Sequence, residues 1–358
     1  MLSAINKTFP LKPKHRAELP KNIYHLSNLL TRERGERRLS YMNDKALLSA
    51  YIYCFLPWNV FRLTQILPAL DLSLHPGDAI NDLGSGPLTL PIALWLNRPD
   101  LQAIPLEFRC IDISASALNA GKQLFDTLSG NKSPWKITTI RGDKSTVIKG
   151  RKPALISAVN VFNEAYLETH GNRRVRLEEA ARHAARGLAA AEQIFVMEPG
   201  TPPASAFISA LHDELLEAGF QPSAPCTHKE FCPLKDGNQW QQGSHWCHFS
   251  WEVESAPLEL QKLNIEAGLR KDKVTAAYLY VKLTANHANH ANMIRVLSNI
   301  FSLQNNEEMG RYACCEQGLV LLAGTQEQMM QAPWGTFVHA KPSGNHDKKT
   351  GAAVYRLI

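Results

Sequence analysis

Apolar residues recur at helical spacing through Leu47, Leu48, Tyr51, Ile52 and Phe55, and from His75 onward the pattern becomes short apolar runs alternating with amphipathic stretches. The runs predict strands over 79–83, 107–112, 135–140, 154–159 and 193–198, with helices over 88–97, 116–128, 177–188 and 204–219. Alternation of this kind implies right-handed crossovers and a mostly parallel, doubly wound sheet. Before it, Pro10, Pro13 and Pro20 break up the start, and a helical region is expected over 40–70. After Phe220 the rhythm stops. Residues 221–250 are too polar for a core element, strands resume over 248–253 and 276–283, and the last ~75 residues read as a small β-rich appendix with a strand over 318–322.

The expected organisation is therefore a basic, helical N-terminal region (1–75), a Rossmann-like α/β domain (76–284) carrying a cysteine-rich insertion (221–250), and a C-terminal appendix (285–358). The most apolar stretch, 46–70, is interrupted by Asn59, Arg62, Gln65 and two prolines. It falls short of the ~20 unbroken apolar residues of a bilayer span and is expected as a buried helix, so no membrane partner is implied. With 44% hydrophobic and 20% charged residues, the composition excludes collagen-like, coiled-coil and wholly disordered classes.

The net charge of +6 sits almost entirely in residues 1–40, where Lys7, Lys12, Lys14, Arg16, Lys21, Arg32, Arg34, Arg37 and Arg38 face only Glu18, Glu33 and Glu36. A basic arm on a neutral body suits a phosphate-backbone partner, although a solvated tail has the same composition. No apolar core of a secretory signal follows the first basic residue, and an odd count of seven cysteines points to metal chemistry in a reducing compartment. A cytoplasmic protein is expected, or a mitochondrial-matrix one if the source is eukaryotic, and a monomer.

Asp82-Leu83-Gly84-Ser85-Gly86-Pro87 follows a predicted strand and opens a helix. Glycines there let the backbone approach a ligand where a Cβ would collide. Asp112 ends the next strand, where a carboxylate can accept ribose hydroxyls, and Asp143 follows the third. The arrangement resembles S-adenosylmethionine-dependent Rossmann methyltransferases. By that analogy Asp82, Gly84, Ser85 and Gly86 line the methionine end, Asp112 the ribose and Asp143 the adenine, and Leu88 stands where a third glycine is usual. Asn160, Asn163 and Glu164 follow the fourth strand, on the acceptor side, but the usual amino-methylation run is replaced by Asn160-Val161-Phe162-Asn163. No complete catalytic apparatus is visible, and methyl transfer itself is left open.

Cys226, Cys232 and Cys247 form a C-x5-C-x14-C pattern, and Cys314 and Cys315 come later. Four thiolates suit zinc or an iron–sulfur cluster, and the spacing does not choose between them. His228, His245 and His248 leave a mixed Cys/His zinc site open, while Cys54 and Cys110 lie in apolar stretches and read as core.

The strings Ile194-Phe195-Val196-Met197-Glu198-Pro199-Gly200-Thr201-Pro202, Ala224-Pro225-Cys226-Thr227-His228, Cys232-Pro233-Leu234 and Trp246-Cys247-His248-Phe249-Ser250 occur in the order seen in one family. From about Tyr41 to Gly335 the chain resembles the Rsm-type methyltransferase-like family of small-subunit ribosome assembly factors, mitochondrial and bacterial. That resemblance implies an S-adenosylmethionine fold, binding to the small ribosomal subunit and its rRNA, and a [4Fe–4S] cluster on Cys226, Cys232, Cys247 and Cys314, the last within a Cys-x3-Gly ending at Gly318, with Cys315 as rival. The basic stretch expected before the fourth cysteine is reduced to Arg295 and Arg311 beside Glu307 and Glu308, so RNA contact is expected to rest on the N-terminal arm. The reading that follows is a cofactor-binding, iron–sulfur factor acting on small-subunit rRNA during ribosome assembly. An active rRNA methyltransferase is the alternative, and a small-molecule methyltransferase with a structural zinc comes third.

Overall fold

A computed structural model of the chain describes all residues except 32–40, 144–145, 147–149, 165–172, 227, 231, 233, 235–245, 270–271, 285–292 and 304–307. The residues form two compact units, 1–161 with 251–274 and 162–250 with 275–358. The strands form a Rossmann-like mixed sheet and a separate β-rich C-terminal sheet.

The first unit opens with helices α1 (Leu2–Thr8) and α2 (Pro13–Thr31), the latter continuous through Pro20. Pro10 lies in the break between the two helices and Pro13 opens the second, as expected, but Pro20 does not interrupt the helix, which corrects the expectation at that position. Ile5, Leu19, Ile23 and Leu26 are buried, and burial of each contributes roughly 1.5–3 kcal/mol, enough to outweigh the one backbone hydrogen bond that Pro20 cannot make. Lys7, Lys12, Lys14, Arg16 and Lys21 all stay exposed, so the described part of the basic arm is an amphipathic helical layer and not a tail. Arg32, Arg34, Arg37 and Arg38 lie outside the described residues.

The apolar stretch forms α3 (Lys45–Ala50), a π-helical turn at Tyr51–Phe55, and α4 (Leu56–Ile66). Lys45–Ala69 has the length and hydropathy of a membrane span, but Ile52, Tyr53, Leu56, Trp58 and Leu63 are buried inside the protein. Four parallel strands follow: β1 (Ala79–Leu83), β2 (Glu107–Asp112), β3 (Lys136–Arg141) and β4 (Leu155–Val159), in the order β3-β2-β1-β4. Between them run α5 (Thr89–Asn97), the short α6 (Pro99–Gln102) and α7 (Ala115–Ser129). Strands β1 to β4 and helices α5 and α7 each lie within two residues of the periodicity-based expectation.

In the second unit, α8 (Arg173–Leu188) and α9 (Pro202–Glu217) flank β5 (Gln193–Pro199). The next strand, β6 (Gln221–Ala224), lies in the segment expected to be too polar for a core element. It has four residues and pairs with one neighbour, leaving no alternation to read. β7 (Phe249–Glu252) leads to α10 (Leu258–Glu266) and then β8 (Lys273–Lys282), which runs antiparallel between β5 and β6. The C-terminal part holds β9 (Met293–Val296), β10 (Phe301–Ser302), β11 (Met309–Cys315), β12 (Gly318–Gly324), α11 (Gln326–Met330), β13 (Phe337–His346) and β14 (Ala353–Leu357). Because β9 pairs with both β11 and β13, the path β9-β11-β12-β14-β13 closes on itself as a barrel. Ile294, Val296, Ala313, Val320, Leu322 and Met329 pack in one core there.

A backbone constraint in the first unit lies where α7 meets the turn after β1. A Cβ on Gly121 would stand 2.3 Å from the Pro87 carbonyl carbon and 2.7 Å from the Leu88 nitrogen, which are backbone atoms that cannot rotate away. Gly121→Ala should therefore destabilise the protein by about 1–3 kcal/mol. Gly187→Ala, on α8 with nothing within 4 Å of the added carbon, should stabilise it by about 0.5–1 kcal/mol. Chemical denaturation of the two variants checks the opposite signs.

Candidate functional site

The glycine loop folds as its sequence requires. Gly84 and Gly86 have φ of +60° and +53°, a region costly for side chains with a Cβ. Leu88, in the place of the third glycine, adopts the same left-handed conformation with φ +57° while fully buried. Packing of its side chain offsets a backbone cost of about 1–2 kcal/mol. A Cβ on Gly84 would strike Val161 at 2.5 Å, whereas among the described residues nothing lies within 4 Å of one on Gly86, which leaves open space over the loop at that point.

Two carboxylates organise this loop. Asp112 accepts from the Gly86 N–H at 2.9 Å and the Ser114 N–H at 2.8 Å, and burial raises its pKa despite those bonds. Asp82 accepts from the hydroxyls of Ser85 at 2.5 Å and Ser157 at 2.7 Å; burial pushes its pKa up to about 6. Asp143, past β3, is exposed, and its carboxylate is 3.4 Å from the Thr146 hydroxyl. Asn160 directly follows β4 with φ +58°. In the second unit, Asn163 and Glu164 belong to a short 3-10 turn at Phe162–Glu164, and the Phe162 N–H donates at 2.8 Å to the fully buried Glu198.

Tyr51 was not evident from the sequence. The π turn carries it near Asp112 and into hydrogen-bond range of Asn59 at 3.3 Å; burial, then the Asp112 charge, drive its pKa up to about 12. Beneath it Arg62 donates to Asn59 at 2.6 Å, and burial lowers its pKa to about 10. A π turn in an α-helix often marks such a site, but a sequence does not announce one.

The second unit brings Cys226, Cys232, Cys247 and Cys314 to the wall of one cavity, which His212, His228 and Arg295 also line. Burial raises the Cys232 thiol to about 11, and carries those of Cys247 and Cys314 well above the ordinary range; each is raised further by neighbouring cysteines. Ser209 donates to Cys232 Sγ at 3.7 Å, and His228 Nε2 lies 3.2 Å from Cys314 Sγ. Buried His212 pairs with Asp213 at 3.1 Å; burial opposes its charge, but Cys226 and Asp213 together lift its pKa to about 10. Among the described residues, His212 Nε2 and His228 Nδ1 are buried with no hydrogen-bond partner that meets the geometric limits. Among the described residues, no three His, Cys, Asp or Glu are arranged to hold a single metal ion.

Cys315, next to Cys314 on β11, points the other way into the barrel core, with its sulfur 3.2 Å from Gln317 Oε1. His248 is not among the cavity residues: it stacks on Trp246 and meets the edge of Trp334. His245 lies outside the described residues. Cys54 and Cys110 are buried as core thiols. Sequence reasoning missed His212, which has no motif around it on α9, and misjudged two arginines. Arg295 and Arg311, read as the remnant of an RNA-binding stretch, are both buried. Arg295 donates to the carbonyls of Pro225 and Gly335 and lies over the Phe337 ring at 3.5 Å. Arg311 donates to the carbonyls of Met329 and Ser298, both at 2.8 Å. Glu308 pairs with Arg356, and Glu307 lies outside the described residues.

No curated protein matches the chain. Among solved structures, a Clostridium acetobutylicum S-adenosylmethionine-dependent methyltransferase is 11% identical, with 73% of this chain and 97% of that one covered and a TM-score of 0.33. Geranyl diphosphate C-methyltransferase of Streptomyces coelicolor, solved with S-adenosyl-L-homocysteine, is 8% identical over 63% and 79% of the two chains, at 0.35. The putative methyltransferase complexed with the Haloferax volcanii Trm112 activator is 12% identical over 66% and 92%, at 0.33. At such scores nothing about ligand or substrate is carried over. A family model described as mitochondrial small ribosomal subunit Rsm22 matches residues 75–302, a span that runs from the glycine loop through Asp112 to Cys226, Cys232, Cys247 and Arg295 and stops short of Cys314. That span is more than half of the chain, and the protein belongs to the Rsm22 family.

Proposed function

We propose that this protein is an S-adenosylmethionine-binding, iron–sulfur-containing factor that acts on small-subunit rRNA during ribosome assembly. The observation that carries the reading is the convergence of four thiols, distant in sequence, on one cavity in a chain of this family. A mononuclear tetrahedral zinc, at ~2.3 Å from each sulfur, draws its four sulfurs to ~3.8 Å from one another, whereas a cubane holds them farther apart. Four thiols around one cavity suit either group, and the resemblance to the family favours iron. Cys226, Cys232, Cys247 and Cys314 would hold it. Arg295 supplies a buried positive charge against its thiolates, and His212 and His228 line the same cavity.

The glycine loop fits a nucleoside cofactor on the same grounds. The open space over Gly86 admits a ligand, and Asp112 still has lone pairs for two ribose hydroxyls after its two backbone bonds. Asp82 offers buried negative charge toward the methionine end, and Asp143 is the candidate for the adenine. Bound there, S-adenosylmethionine supplies an activated methyl group. Asn160 and Glu164 are the acceptor-side residues in the second reading, an active rRNA methyltransferase, which the left-handed Asn160 at the strand end favours. In a eukaryote the place of action would be the mitochondrial matrix, as the family's description implies, and otherwise the cytoplasm.

Anaerobically purified protein should be brown and contain about four irons per chain. Cys226→Ser or Cys247→Ser should lose them and lower the melting temperature, because metal-binding free energy is also folding free energy. Stoichiometric zinc without iron, from cells supplied with both, would overturn the cluster. Calorimetry should detect S-adenosylmethionine binding that Asp112→Ala weakens by roughly 1–3 kcal/mol, the scale of a buried hydrogen-bonding group deprived of its partner. Equal affinity in the variant would place the ribose elsewhere. The amphipathic α2 should contribute to rRNA affinity through its exposed cations. Lys12→Glu with Lys14→Glu and Lys21→Glu should flatten the salt dependence of rRNA binding by about 0.7–0.9 for each phosphate no longer neutralised, as read by filter binding. Deleting the segment would instead expose the core that Ile5, Ile23 and Leu26 complete.

A further inference from the structure

The C-terminal strands define a barrel whose topology carries information of its own. β9 and β10 both pair with β11, β11 pairs antiparallel with β12, β12 pairs parallel with β14, and β13 lies antiparallel between β14 and β9. Taking β9 and β10 together as one bent first strand, the closed order is 1-2-3-5-4-1. The helix α11 falls between the third and fourth strands, with Met329 buried in the barrel core. A closed five-stranded barrel of this kind is the oligonucleotide/oligosaccharide-binding fold, which uses the outer face of strands two and three and the loop between strands four and five.

In this chain that face has the chemistry such a ligand needs. Ala313, Cys315, Val320 and Leu322 point into the barrel, so Tyr312 on β11 and Leu321 and Ala323 on β12 point outward. They form a second apolar cluster with Phe301, Leu303 and Val354. Phe301 and Tyr312 are half-buried, with ring centroids 5.1 Å apart and planes tilted by 32°. The Tyr312 hydroxyl donates at 3.2 Å to Asp347, which ties the β13–β14 hairpin beside the two rings. Asp347 also accepts from the Thr350 hydroxyl at 2.5 Å, and Glu308 is paired with Arg356. Among the described residues Asp347 and Glu308 thus have partners, while Lys341, Lys348 and Lys349 are exposed on the hairpin.

We propose that the barrel is an oligonucleotide-binding module whose outer face, with Phe301 and Tyr312 as stacking groups and the hairpin lysines as phosphate contacts, binds a single-stranded segment of RNA. A duplex hides its base faces, so partly exposed aromatic rings beside cations select unpaired nucleotides. This rests on the reading of the protein as an rRNA-binding factor and names the form of RNA it holds and the surface that holds it. Cys314 lies on β11, the strand that carries Tyr312, and faces Cys226, Cys232 and Cys247 across the cavity.

Fluorescence anisotropy on the full-length protein tests the proposal, with a labelled single-stranded RNA of roughly 12 nucleotides, the same sequence as a duplex, and transcribed small-subunit rRNA. The single strand should bind more tightly than the duplex. Phe301→Leu with Tyr312→Leu should weaken that binding roughly 5- to 100-fold, and Tyr312→Phe, which keeps the ring, should not. Lys348→Glu with Lys349→Glu should reduce the salt slope by about 1.4. A thermal melt matching wild type shows that the leucine variant is folded, and the lysine pair, being exposed, gives a second reading independent of packing. Equal binding of single strand and duplex, or unchanged affinity in both the leucine and lysine variants, would overturn the proposal. So would variants that keep RNA affinity but lose binding to purified small-subunit proteins, since the face would then dock protein. Failure of the wild type to bind any rRNA at low salt would instead remove the underlying functional reading.

Discussion

Desolvation of sulfur is the constraint on which the second unit depends. Cys232, Cys247 and Cys314 sit where burial, reinforced by neighbouring cysteines, drives their pKa values upward. An ionised thiol there is costly unless a positive charge compensates it. Arg295, beside His212, is a compensating charge that the chain itself provides, and its place is over-determined. Two backbone carbonyls and the face of Phe337 hold it, and burial lowers its own pKa. The same arginine joins the loop at Pro225 to the barrel at Gly335, so the electrostatics of the cavity and the seating of the barrel are one arrangement.

The first unit depends on close backbone packing instead. Gly121 lets α7 lie directly against the Pro87–Leu88 peptide, and Leu88 is held left-handed there with its side chain in the core. Asp112 fixes the other side of the loop through the Gly86 N–H, and the Tyr51 turn approaches the same carboxylate. A glycine in place of Leu88 would relieve the backbone but remove a fully buried side chain, and these two terms are of similar size. The departure from a glycine-rich pattern is therefore a local exchange of flexibility for packing.

Charge follows a different logic from the one its sequence positions suggest. The five described cations of the N-terminal segment remain on the surface even though the helices beneath them are integral to the core. By contrast, Arg295 and Arg311 are absorbed into carbonyl contacts and leave the surface. Exposed lysines of the C-terminal part lie instead on the β13–β14 hairpin. A count of basic residues gives the sum correctly and the location wrongly, because a guanidinium with several fixed carbonyl acceptors can be buried at tolerable cost.

The sequence by itself determined what is local. Strand periods, the strand–loop–helix run through Asp82 and Gly86 and the acid ending β2 are set by residues within one or two elements, and each was legible within a few positions. The number of thiols in the cysteine site and three of their positions were legible too, from spacing and from resemblance to a family. Tertiary structure decided the rest. Pro20 stays inside α2 because Leu19, Ile23 and Leu26 are buried around it, a contribution no local preference contains. Cys314 and not Cys315 joins the cavity because adjacent residues of a strand face opposite sides, and only closure of the barrel fixes which side is core. His212 and Arg295 become part of the site through contacts between segments far apart in the chain, and those contacts follow from how the elements pack, which no window along the sequence records.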